Sequence, residues 1–307
     1  MNSQPAILAE NITKRYPVRK GFTTALDRLS LSVSKGEIFG LIGSDGAGKT
    51  SLFRILTTVL LSDEGQASVN GWDVVRDYRR IRQCVGYMPG RFSLYQDLSV
   101  EENLKFFAAI FDTDIHANLD LIKDIYAPLE PFRTRRAGQL SGGMKQKLAL
   151  SCALVHRPEI LFLDEPTTGV DAVSRKEFWE MLGRLKRQGI TIMVSTAYMD
   201  EAGLCDRVAL LQNGKLLSID TPDHITRKFD RQLWAIRADE MYRLLTILRT
   251  DPAVESCYPF GQYHHVILNH GDRELLENLI TKYGLTGATV TAIPPKFEDC
   301  FIRLMQP

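Results

Sequence analysis

The 307-residue chain carries 38 basic and 37 acidic residues, with 44% hydrophobic and 24% charged side chains, an ordinary balance for a globular protein with a real core. At about 150 residues per domain the length suggests two domains. Near-zero net charge argues against nucleic acid or anionic lipid as the main partner. The five cysteines, Cys84, Cys152, Cys205, Cys257 and Cys300, are scattered and form no CxxC pair, which argues against a disulfide framework or zinc site and for a reducing cytosol. The first residues lack a signal-peptide pattern, and apolar runs such as Leu148–Val155 and Ile190–Val194 fall far short of the roughly 18–20 residues that span a bilayer. The chain is therefore expected not to cross a membrane by itself.

Taken in chain order, the opening segments AILAENITKRY and ALDRLSLSVSKGEIFGLIG read as short strands interrupted at Lys35-Gly36. Ile38–Ile42 is apolar throughout, as suits a parallel strand covered on both faces, and leads into the glycine-rich GSDGAGKT and the helix-like TSLFRILTTVLL. Helical periodicity dominates from about residue 92 to 155. Within it, Ser99 followed by Glu102 predicts a capping box for EENLKFFAAIF, and a second helix is expected over Asn118–Leu129. Strand character returns at Ile160–Leu163 and Thr191–Val194, on either side of the helical VSRKEFWEMLGRLKRQG, so the first region reads as α/β with a mainly parallel sheet. Beyond TPDHI the order becomes strand (Gln232–Arg237), helix (Glu240–Leu248), strand (Val254–Pro259), strand (His264–Leu268), helix (Arg273–Tyr283), strand (Ala288–Ile293). That βαββαβ order suggests a small ferredoxin-like accessory domain over residues 223–307, following a first domain over 1–222.

Three segments carry chemistry. Gly43-Ser44-Asp45-Gly46-Ala47-Gly48-Lys49-Thr50 matches GxxxxGK[ST], after a strand and before a helix. Its backbone N–H groups and helix N-terminus suit phosphate, with Lys49 on the β- and γ-phosphates, the Thr50 hydroxyl on Mg²⁺ and Ser51 beside them. Ile160–Glu165 is a buried strand ending in two acids. Asp164 suits Mg²⁺, and Glu165 suits orienting and deprotonating the attacking water. In Leu140-Ser141-Gly142-Gly143-Met144-Lys145-Gln146, Ser141 caps a helix whose adjoining glycines leave amides open to an anion.

In this order, GSDGAGKT, LSGGMKQ and ILFLDEPTTGVD resemble the Walker A, signature and Walker B/D-loop motifs of ATP-binding cassette (ABC) ATPases, over roughly Ile7 to Ile219. The resemblance implies a P-loop core with an antiparallel β-subdomain and a helical subdomain, followed here by a small α+β C-terminal domain. It further implies ATP and Mg²⁺ as ligands and hydrolysis as the activity. A second ABC ATPase subunit, identical or different, would meet the first head to tail, and a separate transmembrane permease would hold both at the cytoplasmic face of the membrane. Ser141, Gly142, Gly143, Met144 and Gln146 would then face ATP bound to the opposite subunit, Asp171 would be the D-loop aspartate, and Tyr16 would stack on adenine. The closing run Pro294-Pro295-Lys296-Phe297-Glu298-Asp299-Cys300-Phe301 resembles the tail of export-type members. A soluble ABC ATPase outside transport, and an ATP-gated regulatory subunit, are the alternatives.

Two family positions differ. Where the family's Q-loop carries glutamine the chain reads Gly86-Tyr87-Met88-Pro89-Gly90, and where it carries the switch histidine the chain reads Ser195-Thr196-Ala197. Gly90 offers no side chain to metal or water, and Ala197 offers no imidazole to the γ-phosphate. Slow hydrolysis by a homodimer, a relaxed site within a heterodimer, and engineered positions are the three readings, with natural relaxation favoured because Asp164 and Glu165 are intact. The groove toward the permease is expected to be lined by Phe92, Leu94, Tyr95 and Leu98.

Overall fold

The computed structural model describes residues 4–90 and 94–305; Phe92 lies outside them. The chain falls into two compact units, Met1–Asp223 with Leu304–Pro307, and His224–Arg303.

The first unit opens with β1 (Ile7–Val18) and β2 (Gly21–Val33), a long antiparallel hairpin. Next come β3 (Ile38–Ile42) and α1 (Lys49–Leu56), then β4 (Glu64–Val69), β5 (Trp72–Asp73), α2 (Tyr78–Cys84) and β6 (Val85–Met88). A helical stretch follows with α3 (Val100–Ile110), α4 (Leu119–Tyr126) and α5 (Gly142–Leu154). The unit continues through β7 (Ile160–Asp164), α6 (Ala172–Arg187), β8 (Thr191–Thr196), β9 (Arg207–Gln212) and β10 (Lys215–Asp220), and α7 (Pro222–Arg227) runs across the unit boundary.

Two sheets organise this unit. One is antiparallel in the order β2-β1-β4-β5; the other runs β10-β9-β3-β8-β7-β6, parallel except for β10. Every residue of β3, β7 and β8 is buried, and the apolar residues run on without alternating, the polar ones falling at the strand ends. The core between the two sheets is built on Leu29, Val33, Phe39, Leu41, Phe53, Leu56, Phe162 and Met193, with Phe53 meeting Phe162 edge-to-face at 5.8 Å. The crossovers bring the C-terminal ends of β3, β7 and β8 side by side, where an open α/β sheet binds its ligand.

The expected capping box is present. Ser99 Oγ accepts from Glu102 N at 3.2 Å, and a Glu102 carboxylate oxygen accepts from Ser99 N at 2.7 Å. The helix expected over Asn118–Leu129 is α4 up to Tyr126. It then tightens into a 3₁₀ stretch, Ala127–Phe132, where Pro128 and Pro131 withhold backbone donors. Strands β4, β5, β9 and β10 were not expected from the sequence pattern.

The second unit holds β11 (Leu233–Arg237), α8 (Met241–Thr250), β12 (Val254–Phe260), β13 (Tyr263–Leu268), α9 (Arg273–Lys282) and β14 (Thr289–Ile293), with α10 (Phe297–Met305) running across its C-terminal boundary. Its antiparallel sheet has the order β12-β13-β11-β14, with a core of Trp234, Ile236, Leu244, Leu248, Val266 and Leu276. Asp299 on α10 is wholly buried. Tyr258 OH donates to it at 2.8 Å, His265 Nδ1 at 2.6 Å and Lys296 N at 2.6 Å. The proline, acid and phenylalanine run thus docks a terminal helix, and its acid is the docking group.

Candidate nucleotide site

Gly43–Gly48 leaves the end of β3 as a tight loop. A Cβ at Gly48, whose φ is +112°, would sit 2.3 Å from Ala25 O, so only glycine lets the loop lie this close to β2. Gly43 N donates to Thr196 O at 3.2 Å, and Ala47 N donates to Ser44 O at 3.1 Å, which ties the loop to the end of β8 and closes it on itself. Ser44, Asp45 and Gly46 are exposed, Ala47 is buried, and Thr50 and Ser51 lie half-buried in the first turn of α1. Tyr16, near the end of β1, reaches that turn, its hydroxyl 3.1 Å from Ser51 Oγ.

Lys49 is 3% exposed, and its ammonium donates to Gly43 O at 2.7 Å and Ser44 O at 3.0 Å. A Glu165 carboxylate oxygen stands 3.0 Å from the same nitrogen. Lys49 and Glu165, 116 positions apart in sequence, therefore converge at the C-terminal end of the parallel sheet. Asp164, 2% exposed, ends β7 and accepts from Ser195 Oγ at 2.6 Å. Glu165 has φ +51°, the left-handed region that is uncommon for a side chain other than glycine, and its N–H donates to both Ser195 O at 3.1 Å and Ser195 Oγ at 3.0 Å. Thr50 and Asp164 supply hard oxygen donors of the type Mg²⁺ prefers, so the residues present fit that ion.

A cleft of about 190 Å³ lies beside this cluster, lined among others by Gly90, Leu94, Gly142, Lys145, Gln146, Asp164 and Glu165. The signature helix α5 forms one wall. Ser141 caps it, accepting from Met144 N at 3.4 Å, and Ser141 and Gly142 stay exposed while Gly143 and Met144 are half-buried. Gln146, expected to face an opposing ATP, instead points inward. It is 7% exposed and donates to Pro166 O, because one helical turn past the cap the side chains meet the body of their own chain. Asp171 is exposed and caps α6, accepting from Val173 N at 3.1 Å and Ser174 N at 3.0 Å; those bonds, led by that from Ser174, hold its carboxyl below the ordinary 3.8.

A Cβ at Gly90 would stand 2.9 Å from Asp164 O, so the loop after β6 runs hard against the acid-bearing strand with no room for a side chain as placed. Ala197 follows β8 directly and is half-buried. Of the residues expected to line a groove, Leu94 is 6% exposed and contributes to the wall of that cleft beside Gly90, whereas Tyr95 is 50% exposed and meets Phe106 edge-to-face at 4.6 Å. Leu98 is half-buried. A separate apolar cleft of about 280 Å³ opens among Val59, Tyr87, Phe107, Ile110 and Phe111. Sequence reasoning missed Ser195. A lone serine closing the buried run Thr191–Val194 was the available signal.

A phosphate-type loop, paired acids on the neighbouring strand and a capped signature helix around one cleft define an ABC-type nucleotide-binding cassette. Residues 26–168 match the ABC transporter family. The Nod factor export ATP-binding protein I of Burkholderia pseudomallei is 39% identical over 304 residues, covering 96% of this chain and 95% of that protein. The probable multidrug ABC transporter ATP-binding protein YbhF of Escherichia coli is 41% identical over 224 residues, 72% of this chain but only 38% of YbhF. The chain belongs to the ATP-binding subunits of export-type ABC transporters. Among solved structures, an ATP-binding subunit of an ABC transporter superposes with a TM-score of 0.65 at 26% identity, covering 73% of this chain and 93% of that one. A dimeric cassette bound to ADP and Pi superposes at 0.64 and 23%, covering 70% and 98%, which speaks to fold alone. Among the described residues, no helix is long and apolar enough to cross a membrane.

Proposed function

We propose that the chain binds and hydrolyses ATP to drive export through a separate permease, with a turnover slowed by two substituted positions. The observation that carries this reading is the convergence of Lys49, Asp164 and Glu165, with Lys49 Nζ 3.0 Å from the Glu165 carboxylate. The amides of Gly43–Lys49 would receive the phosphates, and Lys49 would exchange its loop carbonyls for β- and γ-oxygens. Thr50 and Asp164 would hold Mg²⁺, which when bound neutralises charge on those oxygens. Glu165 orients the attacking water and takes its proton as the bond to the γ-phosphorus forms and the β–γ bridge breaks. Tyr16 would carry the adenine. Ser141, Gly142, Gly143 and Met144 would complete the site of a second cassette, with Asp171 crossing between them.

The packing of Gly90 on Asp164 O supports a naturally relaxed site, since it leaves no room for a side chain as placed. With neither glutamine nor histidine present, Glu165 works without two usual donors, and each lost transition-state donor commonly lowers the rate by about 10²–10³. The heterodimer version follows from the same facts, with this chain lending an intact signature helix to a complete partner site. Residues 223–307 are proposed as an accessory domain of ferredoxin-like topology. The permease contact is proposed at the apolar cleft of Val59, Phe107 and Ile110 at the cytoplasmic face of the membrane.

Steady-state Mg-ATPase assays on the native chain and Glu165→Gln test the reading. Slow turnover that disappears in the variant supports a self-sufficient motor. ATP bound without turnover in both proteins would defeat the hydrolytic reading in favour of an ATP-gated subunit.

A further inference from the structure

We infer that Ser195 is a positioning residue that sets the geometry of both Asp164 and Glu165. This rests on the roles proposed above for those two acids. In the parallel pairing of β7 with β8, Asp164 stands opposite Ser195, and paired residues in adjacent strands face the same side of the sheet. That register brings the Ser195 hydroxyl within 2.6 Å of an Asp164 carboxylate oxygen, to which it donates. The same hydroxyl accepts from Glu165 N at 3.0 Å, and the Ser195 carbonyl accepts from that N–H at 3.1 Å. One residue therefore fixes a carboxylate rotamer on Asp164 and the backbone of Glu165, the latter in a left-handed conformation that needs outside support.

The neighbouring residues sharpen the point. Ile192, Met193 and Val194 are 0% exposed and apolar, and Ser195 is 0% exposed as well. A buried hydroxyl is tolerated only when hydrogen-bonded, and the partners of this one are the Asp164 carboxylate and the Glu165 backbone N–H. The next residue extends the arrangement, for Thr196 O accepts from Gly43 N at 3.2 Å and Thr196 Oγ1 accepts from Tyr198 N at 3.0 Å. The end of β8 is thus the common support of the phosphate loop, the acid pair and the segment carrying Ala197. In a site without the switch imidazole or the Q-loop amide, Ser195 holds the Asp164 carboxylate and the Glu165 backbone, while Lys49 meets the Glu165 carboxylate.

The test compares the native chain, Ser195→Ala, Ser195→Thr and Glu165→Gln. Two readouts are followed: Mn²⁺ affinity in the presence of ADP by electron paramagnetic resonance, and kcat with KM for ATP. Loss of a group that orients a metal ligand typically lowers metal affinity or activity by about 10–100-fold. Ser195→Ala is expected to show that fall in Mn²⁺ affinity and in kcat, with KM for ATP changed by less than about twofold, the signature of a group acting on the reacting geometry rather than on substrate binding. Ser195→Thr keeps the hydroxyl and is expected to restore both values. Native Mn²⁺ affinity and kcat in Ser195→Ala would overturn the inference. Should Ser195→Ala fail to fold, a folded Ser195→Thr with values about tenfold lower than native would overturn it equally. Unchanged turnover in Glu165→Gln would instead sink the reading of the site itself, whereas a dead Glu165→Gln beside a fully active Ser195→Ala would sink this inference alone.

Discussion

Two buried polar clusters invite comparison. In the second unit, Asp299 is closed on every side we can name: Tyr258 OH, His265 Nδ1 and Lys296 N converge on it, and Phe260 stacks on the His265 ring at 4.1 Å. In the first unit, Lys49, Asp164, Glu165 and Ser195 are linked just as closely, yet the Glu165 side chain keeps 26% of its surface and lines a cleft. The first cluster joins a terminal helix to a sheet. The second holds an acid in a left-handed backbone conformation on the wall of a cleft. Burial and pairing alone do not distinguish structure from function; here the open side of the first-unit cluster does.

Substitution should separate the two clusters most sharply at Asp299. Asp299→Ala strands a buried phenol, imidazole and amide, and each buried donor left unpaired costs about 1–3 kcal/mol, so a loss of several kcal/mol is expected. Hydrogen exchange in β12 and β13 should show protection lost by that amount, whereas Glu165→Gln, at the open cluster, should change protection in β7 and β8 by less than about 1 kcal/mol. Equal losses at both clusters would erase the contrast. The pH dependence carries the same sign. Burial alone would raise the Asp299 carboxyl, but the hydrogen bonds from His265, Lys296 and Tyr258 outweigh it and hold the group below its ordinary 3.8. Its folded value is depressed, so its stabilisation is complete above pH 3.8 and fades as the pH falls below that.

A smaller effect is expected at His156, which stacks on Phe111 at 3.7 Å with Nε2 3.1 Å from Val85 O. Burial lowers this imidazole from 6.5 to about 4, against the raising effect of the Val85 bond. A depressed value means that neutral His156 favours the fold above pH 6.5 and loses that contribution as the pH falls toward 4. His156→Phe should flatten the acid sensitivity of denaturant unfolding in that window by on the order of 2 kcal/mol, and an unaltered slope would contradict the assignment. The smallest change concerns neither cluster. Ser99→Ala removes the capping box of α3 and should lower stability by about 1 kcal/mol, read from the unfolding midpoint, without altering turnover.

Much of the site was legible because its parts are local. GSDGAGKT, ILFLDE and LSGGM are contiguous, and each combines a turn or cap requirement with a chemical one, so the P-loop spacing located Lys49 and the family resemblance of the three together located Asp164, Glu165 and Ser141. The βαββαβ order of the second unit was readable for the same reason, since each strand and helix has its own period. What escaped depends on pairing between distant strands. Ser195 becomes informative only once β8 lies against β7 in the register that faces it toward Asp164. Gln146 looked like part of an exposed motif, and only the packing of α5 turns it inward to Pro166.

The central claim is that Glu165, held at the end of β7, makes this chain a slow but self-sufficient ATPase. The direct measurement is steady-state Mg-ATPase activity of the purified chain beside Glu165→Gln, with ATP binding followed in both. The account predicts measurable turnover in the native chain, none in the variant, and ATP retained by each. Equal turnover in the two proteins, or none in either, would contradict it.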